Sequence, residues 1–453
     1  MIAKIADRLF GRVEEHLTRF RVLAVILAVV VICVSSARMI HHPFTYGDFG
    51  VYLHAARLMV SGENIYATPV KNGDLFYIYP PLLAFLFIPL THVPVNLSIV
   101  LWTVLNVVLV AWMVAAVCEF CSGMRFSALP PSTRWAIGFF SLLLTGRFIL
   151  QHLDRGQTNI LVLALVVLGI RLIKRESWRP ILGGAVIGIS IALKVLPAPF
   201  MVWFALEKQV KALAGVAIGL AVGLLTPALL LGWKTNASLL SIWIHDYVLD
   251  SAQRDAKLGL GYNYSIRGVL YRFFTPTVAF EHGGRSYSLT IAHAPLSYIH
   301  AADWVLRFAI VGLVVFYWFR FQKSSRLVLN GGGAAVVFAA IPLLFPTTQL
   351  NYFVFLLPAV IYAMYLQFGL KLRDPSFEGW MAAFFVLSTL TVSGICGKFL
   401  SSLFTATGCV AWGTLCLIAA MFRAARLDLG VPSSDIRASW SRQNEVAALD
   451  EAP

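Results

Sequence analysis

The sequence predicts an all-α polytopic membrane helical bundle of about 12 transmembrane helices, with interfacial helices in its external loops. Three observations predict it. Of 453 residues, 59% are hydrophobic and only 13% are charged, about half the ~25% charge of a soluble globular chain. The apolar residues fall in blocks of about twenty, the length that crosses a ~30 Å hydrocarbon layer as a helix. Basic residues collect between alternate blocks, as cytoplasmic turns require under the positive-inside rule. Soluble enzymes, fibrous proteins and disordered chains are thereby excluded. The formal charge of +14, from 36 Lys plus Arg against 22 Asp plus Glu, also suits a nucleic-acid binder, but cytoplasmic turns account for its distribution better. No nucleic acid is expected as a partner.

The blocks lie near 22–40, 97–119, 133–150, 156–173, 180–193, 195–206, 212–232, 303–321, 328–345, 351–369, 377–395 and 400–422. Lys4, Arg8, Arg12, Arg19 and Arg21 put the N-terminus in the cytoplasm, and Arg423, Arg426 and Arg437 do the same for the C-terminus. Lys174 with Arg175 and Arg179, Lys208 with Lys211, Arg320 with Lys323 and Arg326, and Lys371 with Arg373 mark further cytoplasmic turns. Two cytoplasmic ends demand an even number of crossings. The further short block 80–92 therefore reads as interfacial, because a span there puts the turn at 174–179 on the wrong side. Ser35 and Ala37 suit signal cleavage, but the charged region before them is long, and the first block reads as a retained anchor.

Residues 1–428 read as one integral-membrane domain with external loops 41–80 and 233–302, and 429–453 as a solvated cytoplasmic tail. The polar turns 147–156 and 346–351 also fall outside. The pieces 180–193 and 195–206, parted around Lys194, resemble a hairpin reaching that surface, or interrupted helices within the bundle. No fixed-period repeat or inverted half is visible. The six cysteines lie in or beside apolar segments, where free Cys acts as a small buried hydrophobe, and the lone Cys118-x-x-Cys121 lacks a second ligand pair.

The first external loop carries the most chemistry. Asp48 stands just beyond the first span, among Tyr46, Gly47, Phe49, Gly50 and Tyr52. Partial desolvation at a membrane surface keeps such a carboxylate reactive towards a hydroxyl proton; equally, Asp48 can cap the helix that begins near Phe49. Gln157 and Asn159 at the mouth of a span suit sugar hydroxyls or interhelical contacts. Tyr262, Asn263, Tyr264, Ser265 and Arg267 form a polar, aromatic cluster suited to a sugar face, or to an interfacial belt.

Five segments in order, D-F-x-x-Y (Asp48, Phe49, Tyr52), Tyr79-Pro80-Pro81-Leu82, Gly156-Gln157-x-Asn159, Ala192-Leu193-Lys194-x-x-Pro197 and Asn263-x-Ser265-x-x-Gly268, make the chain resemble a known family. They are similar, over roughly positions 20 to 370, to polyprenyl-phosphate-sugar-dependent glycosyltransferases of the GT-C architecture, family 87. The resemblance implies that Asp48 is the catalytic base and that the donor is a sugar, with mannose leading, carried by one phosphate on a long polyprenol. Lys194, Arg267 and Arg155 are then candidates for the leaving phosphate; the plain alternatives are snorkelling for Lys194, the interfacial belt for Arg267 and pairing within its own loop, where Arg147 and Asp154 lie nearby, for Arg155.

One departure stands out. Where the family often carries a histidine pair, this chain has Asn351 and Tyr352, which can hydrogen-bond a phosphate but supply no imidazolium. No D-x-D pair occurs, and Glu63 and Asp74 lack a spacing that shares a cation with Asp48, so no metal and no cofactor are expected. The expectation is inverting sugar transfer to a lipid or glycan acceptor at the non-cytoplasmic face of a bacterial plasma membrane, with membrane lipids as partners. The rival is a transporter or flippase of a lipid-linked substrate.

Overall fold

A chain in hydrocarbon must satisfy its own backbone hydrogen bonds, so its apolar blocks become helices. The computed structural model describes Phe10 and residues 16–44, 47–70, 75–173, 178–249, 263–321 and 331–427. Lys4, Arg8, Arg12, Tyr46, Asp74, Lys174, Arg175, Asp250, Arg254, Asp255, Tyr262, Lys323, Arg326, Arg437 and the tail 429–453 lie outside the described residues.

In chain order the helices are α1 (Leu17–His41), α2 (Phe49–Val60), α3 (Pro81–Thr91), α4 (Val95–Ser122), α5 (Pro131–Arg155) and α6 (Asn159–Ile173). Next come α7 (Arg179–Leu193), α8 (Pro199–Leu206), α9 (Val210–Leu225, extended to Leu231), α10 (Trp233–Ile242) and α11 (Ile266–Phe274). After a two-stranded hairpin, β1 (Phe280–His282) against β2 (Arg285–Tyr287), follow α12 (Leu296–Phe321), α13 (Gly333–Leu344) and α14 (Leu357–Met364). The last three are α15 (Pro375–Ser388), α16 (Ser393–Ala406) and α17 (Cys409–Leu427).

The all-α membrane bundle of the sequence reading is what forms, but its helices are less uniform than twelve matched spans. Among the described residues, 7 helices are long and apolar enough to cross a membrane: α1, α4, α5, extended α9, α12, the stretch Leu350–Gly369 around α14, and α17. The pair α15 and α16 is long and apolar enough when taken together, but is bent by 81° between its halves, as a broken span or a re-entrant loop is. The blocks at 156–173, 180–193 and 328–345 become α6, α7 and α13, with 15, 15 and 12 residues. Residues Gly333 to Leu343 of α13 are all buried, and a helix jacketed by protein need not match the hydrocarbon thickness. The block at 195–206 holds only the eight-residue α8, and 400–422 is divided between α16 and α17 at Gly408, whose φ is +78°. At 11 residues, α3 is about 16 Å long, half a bilayer core.

Glycines bring α6, α7 and α9 into backbone contact. A Cβ on Gly184 would lie 2.0 Å from Ala212 O, one on Gly188 2.2 Å from Val216 O, and one on Gly219 1.9 Å from Ala185 O. These pairings make α7 and α9 parallel neighbours, with the chain returning through 194–198 and α8. Gly183 of α7 packs likewise on Gly169 of α6, so small residues at four-residue spacing set the interface. Gly219→Leu should therefore lower stability by about 3 kcal/mol, read as an earlier thermal transition in detergent. Gly138→Leu in α5, where nothing lies within 4 Å of the added carbon, should leave the transition in place.

Polar contacts gather at two ends. At one meet the end of α1 and the end of α5 (Arg38 with Asp154), the start of α6, the end of α7 and the residues before α14. At the other meet α4 and α6 through Glu119 and Arg171, α8 and α12 through Glu207 and Trp318, and α15 and α17 through Asp374 and Arg423. Asp374 there is held down to about 2 by its hydrogen bonds to Arg423.

Candidate active site

The first of these ends is organised by a strap at residues 47–48. The Asp48 N–H donates to Arg155 O at 2.8 Å, tying the start of α2 to the end of α5. Gly47 has φ +85°, and a Cβ there would lie 2.5 Å from Arg155 O; Gly156, at φ +60°, closes α5 against Phe49. Two left-handed glycines thus fix where the aspartate stands. Asp48 occupies the capping position of α2, yet its side chain makes no capping hydrogen bond, so the carboxylate is not engaged by that helix. Gly47→Ala should reduce activity at least tenfold while the protein still folds, because left-handed strain of about 1–2 kcal/mol and the close carbonyl both displace Asp48; turnover beside a melting curve checks it.

Facing the strap, Lys194 ends α7 with its side chain buried. Its Nζ donates to Asn159 Oδ1 at 2.7 Å and to Gln157 Oε1 at 3.3 Å. It also sits over two aromatic rings, Tyr352 at 4.4 Å and Tyr79 at 5.0 Å from the centroids. Tyr52 Oη donates to the same Gln157 oxygen at 3.2 Å. Asn159 Nδ2 in turn donates to Asn351 O and Oδ1 at 3.1 and 3.2 Å, and Asn351 Nδ2 to Gln349 Oε1 at 3.2 Å. Amides and rings therefore surround the ammonium; among the described residues no carboxylate is in ion-pair contact with it.

Charge reaches Lys194 from farther off. Asp48 and Lys194 feel each other's fields, and Arg155 also acts on Asp48. Burial pushes the Asp48 carboxyl up, and the Lys194 and Arg155 charges draw it partly back. Burial pulls Lys194 down to about 7, with the Asp48 charge opposing. Asp48 retains partial exposure while Lys194, Gln157 and Asn159 are buried. The arrangement is a largely buried polar cluster holding a carboxylate and cations at separate points, fit to take a proton and to receive an anion.

The structure thus brings together Asp48, Tyr52, Arg155, Gln157, Asn159, Lys194, Asn351 and Tyr352. The neighbours of Arg155 are drawn elsewhere: Asp154 binds Arg38, and Arg147 donates to Ser388 O at 2.9 Å and Thr391 Oγ1 at 2.8 Å. Asn263 is set into the backbone. Its Oδ1 accepts from Ser265 N and Thr348 N, both at 3.1 Å, while Ser265 Oγ donates to Pro346 O at 2.7 Å and caps α11. A Cβ on Gly268 would lie 2.9 Å from Asn263 Cγ, so Asn263-x-Ser265-x-x-Gly268 is a staple joining the 263 segment to the turn before Asn351. Arg267 stands apart from the other candidates in its pairing, with Nε donating to Asp303 Oδ2 at 2.8 Å.

Tyr79, which flanks Lys194 and packs edge-on against Tyr52 with ring centroids 5.3 Å apart, was not among the candidate site residues. Its signal was present in the Tyr79-Pro80-Pro81-Leu82 run, which carried the resemblance without assigning Tyr79 a role.

The model of "Glycosyltransferase family 87" matches residues 77–316, a stretch that holds Tyr79, Arg155, Gln157, Asn159, Lys194, Asn263 and Arg267 and begins after Asp48. Over 245 residues the chain is 27% identical to the polyprenol-phosphate-mannose-dependent alpha-(1-2)-phosphatidylinositol mannoside mannosyltransferase of Mycobacterium tuberculosis, covering 51% of this chain and 55% of that one. The enzyme of the same description from Mycolicibacterium smegmatis is 25% identical over 240 residues, covering 50% and 52%. The chain spans about half the length of the curated relatives it matches. Crystal structures of ArnT from Cupriavidus metallidurans, bound to undecaprenyl phosphate and in the apo state, match with TM-scores of 0.39 and 0.37, each at 14% identity over 91% of this chain and 78% of that one. The family model takes in more than half of the residues, and the chain belongs to glycosyltransferase family 87.

Proposed function

We propose that the protein is a membrane glycosyltransferase that moves a sugar, mannose first, from a polyprenyl-phosphate carrier to an acceptor hydroxyl. The observation that carries this is the convergence at one end of the bundle of an uncapped, partly exposed Asp48 and a buried Lys194 that act on each other's charge without ion-pair contact. Asp48 takes the proton of the acceptor hydroxyl as its oxygen attacks the anomeric carbon. The sugar–phosphate bond breaks on the opposite side, inverting the centre, and the charge gathering on the departing phosphate meets Lys194 and Arg155. Gln157, Asn159 and Asn351 hold Lys194 in line, Tyr52 anchors Gln157, and Tyr79 and Tyr352 exclude water around the ammonium. The acceptor is a lipid or glycan. The polyprenol-phosphate-mannose dependence of the two mycobacterial relatives supports the donor class.

Sidedness follows from charge. Arg171, Arg179, Lys208, Arg320, Lys371, Arg373 and Arg423 lie at or near the helix ends opposite the pocket, which the positive-inside rule assigns to the cytoplasm. The pocket then opens on the non-cytoplasmic face of a bacterial plasma membrane, within one integral-membrane unit, 1–428.

The test is transfer of labelled mannose from polyprenyl-phosphate-mannose to crude lipid acceptors by the purified protein. Labelled product supports the reading; vectorial movement of intact donor with no new glycosidic bond would identify a transporter. The pH profile is a second check. kcat/KM should rise as Asp48 loses its proton and fall above about pH 7 as Lys194 (about 7) loses its own. Bound phosphate stabilises the ammonium, so the alkaline limb of kcat should lie at higher pH.

A further inference from the structure

The Lys194 ammonium fixes the direction of a row of amides that runs away from it. An ammonium only donates, so Asn159 must offer it Oδ1, as it does at 2.7 Å. Asn159 Nδ2 is thereby turned towards Asn351 Oδ1, at 3.2 Å, and Asn351 Nδ2 towards Gln349 Oε1, also at 3.2 Å. The same rule then settles the last member. With Oε1 taken up by Asn351, the Gln349 amide presents its Nε2 at the far end of the row. Among the described residues no group accepts from that Nε2, and Gln349 is partly exposed. Aligned amides polarise one another, and this row starts on a cation, so its terminal N–H groups are strengthened donors.

The backbone around Gln349 is clamped on both sides. Thr348 N donates to Asn263 Oδ1 at 3.1 Å, Thr348 O accepts from Tyr264 N at 2.7 Å, and Thr348 Oγ1 donates to Pro342 O at 3.0 Å. Gln349 O accepts from Tyr352 N at 3.0 Å. Gln349 occupies the capping position of the short 3-10 turn Leu350–Leu356, yet its side chain makes no capping hydrogen bond. The amide is held by Asn351 instead and faces outward already ordered, so meeting a ligand costs it little rotamer freedom.

The charged head of the row serves the departing phosphate in the reaction proposed above. Gln349 is three hydrogen bonds farther on and neutral, which suits a hydroxyl oxygen better than a second phosphate contact. The part of the donor joined to that phosphate is the sugar. We propose that Gln349 Nε2 donates to one hydroxyl oxygen of the donor sugar, making Gln349 a specificity-determining residue of the site. The proposal rests on the donor class given under the proposed function.

The experiment measures equilibrium binding of labelled polyprenyl-phosphate-mannose, and of each monodeoxy analogue of its sugar, to the full chain in detergent for the parent and Gln349→Leu. Gln349→Leu should bind the intact donor roughly tenfold more weakly. One monodeoxy analogue should bind parent and variant alike, because the contacted oxygen is already missing, while the others keep the tenfold gap. Should Gln349→Leu not fold, Gln349→Glu, which keeps an oxygen for Asn351 Nδ2 and loses the outward N–H, carries the same comparison: one analogue should depart from the shift shared by the rest. Equal affinity of parent and Gln349→Leu for the intact donor would overturn the inference. A gap that persists across every analogue would put the effect at the phosphate and overturn the sugar contact. A folded parent that binds no polyprenyl-phosphate-mannose would sink the proposed function itself, and this inference with it.

Discussion

Asp48→Asn is expected to abolish measurable sugar transfer while donor binding persists. Asparagine keeps the shape of the side chain and can still accept a hydrogen bond, but it cannot take a proton, and general-base assistance contributes about 10²–10⁴-fold to a rate. The backbone tie from residue 48 to Arg155 O survives the exchange, so the strap should stay in place and the melting temperature should hold. The relevant measurement is single-turnover transfer of labelled sugar beside equilibrium binding of the same donor. Residual transfer within threefold of the parent would remove Asp48 from the chemistry. Loss of both binding and turnover would instead make its role one of positioning. Asp48 also supports the charge on Lys194, so in Asp48→Asn the alkaline fall in donor binding should begin at lower pH.

Lys194→Met is the complementary case, with opposite effects on function and stability. A charge-assisted contact to phosphate is worth about 1.5–3 kcal/mol, so KM for the donor should rise by about ten- to a hundredfold, with a further loss in kcat as the leaving group forfeits its partner. The empty protein should melt no lower than the parent, because a buried ammonium without a contacting carboxylate is replaced by an apolar chain of similar length. Gln157 Oε1 keeps the Tyr52 hydroxyl as a donor, which limits the damage to the network. Lys194→Arg tests shape: a guanidinium retains the charge but must fit between the Tyr79 and Tyr352 rings, so partial recovery of binding with poor kcat is expected. A lower melting temperature combined with normal kinetics for Lys194→Met would make the residue structural.

Some of the site could be read locally. Gly156-Gln157-x-Asn159 places two amides at a helix start, and Lys194 interrupts an apolar run where a charge is out of place; neither observation needs a partner to be noticed. Other features depend on contacts that sequence distance conceals. Arg267 looked like a phosphate ligand because the carboxylate that engages it, Asp303, lies 36 residues away on another helix. Asn263 looked like a sugar contact because its two backbone partners, one of them at Thr348, come from different segments. Tyr79 stands in a motif segment, but nothing local shows that its ring will lie over Lys194.

The membrane class, the helical fold and the family were determined by the sequence itself, since apolar block length, charge placement and short ordered motifs are local properties with direct physical readings. Helix lengths were not: α6, α7 and α13 are short because neighbouring protein, with glycine contacts at Gly169, Gly184 and Gly219, takes the place of lipid around them. The pocket itself also waited for the tertiary structure. Whether a buried ammonium meets a carboxylate or only amides and rings depends on which helix ends converge, and that convergence is decided by packing across the whole bundle.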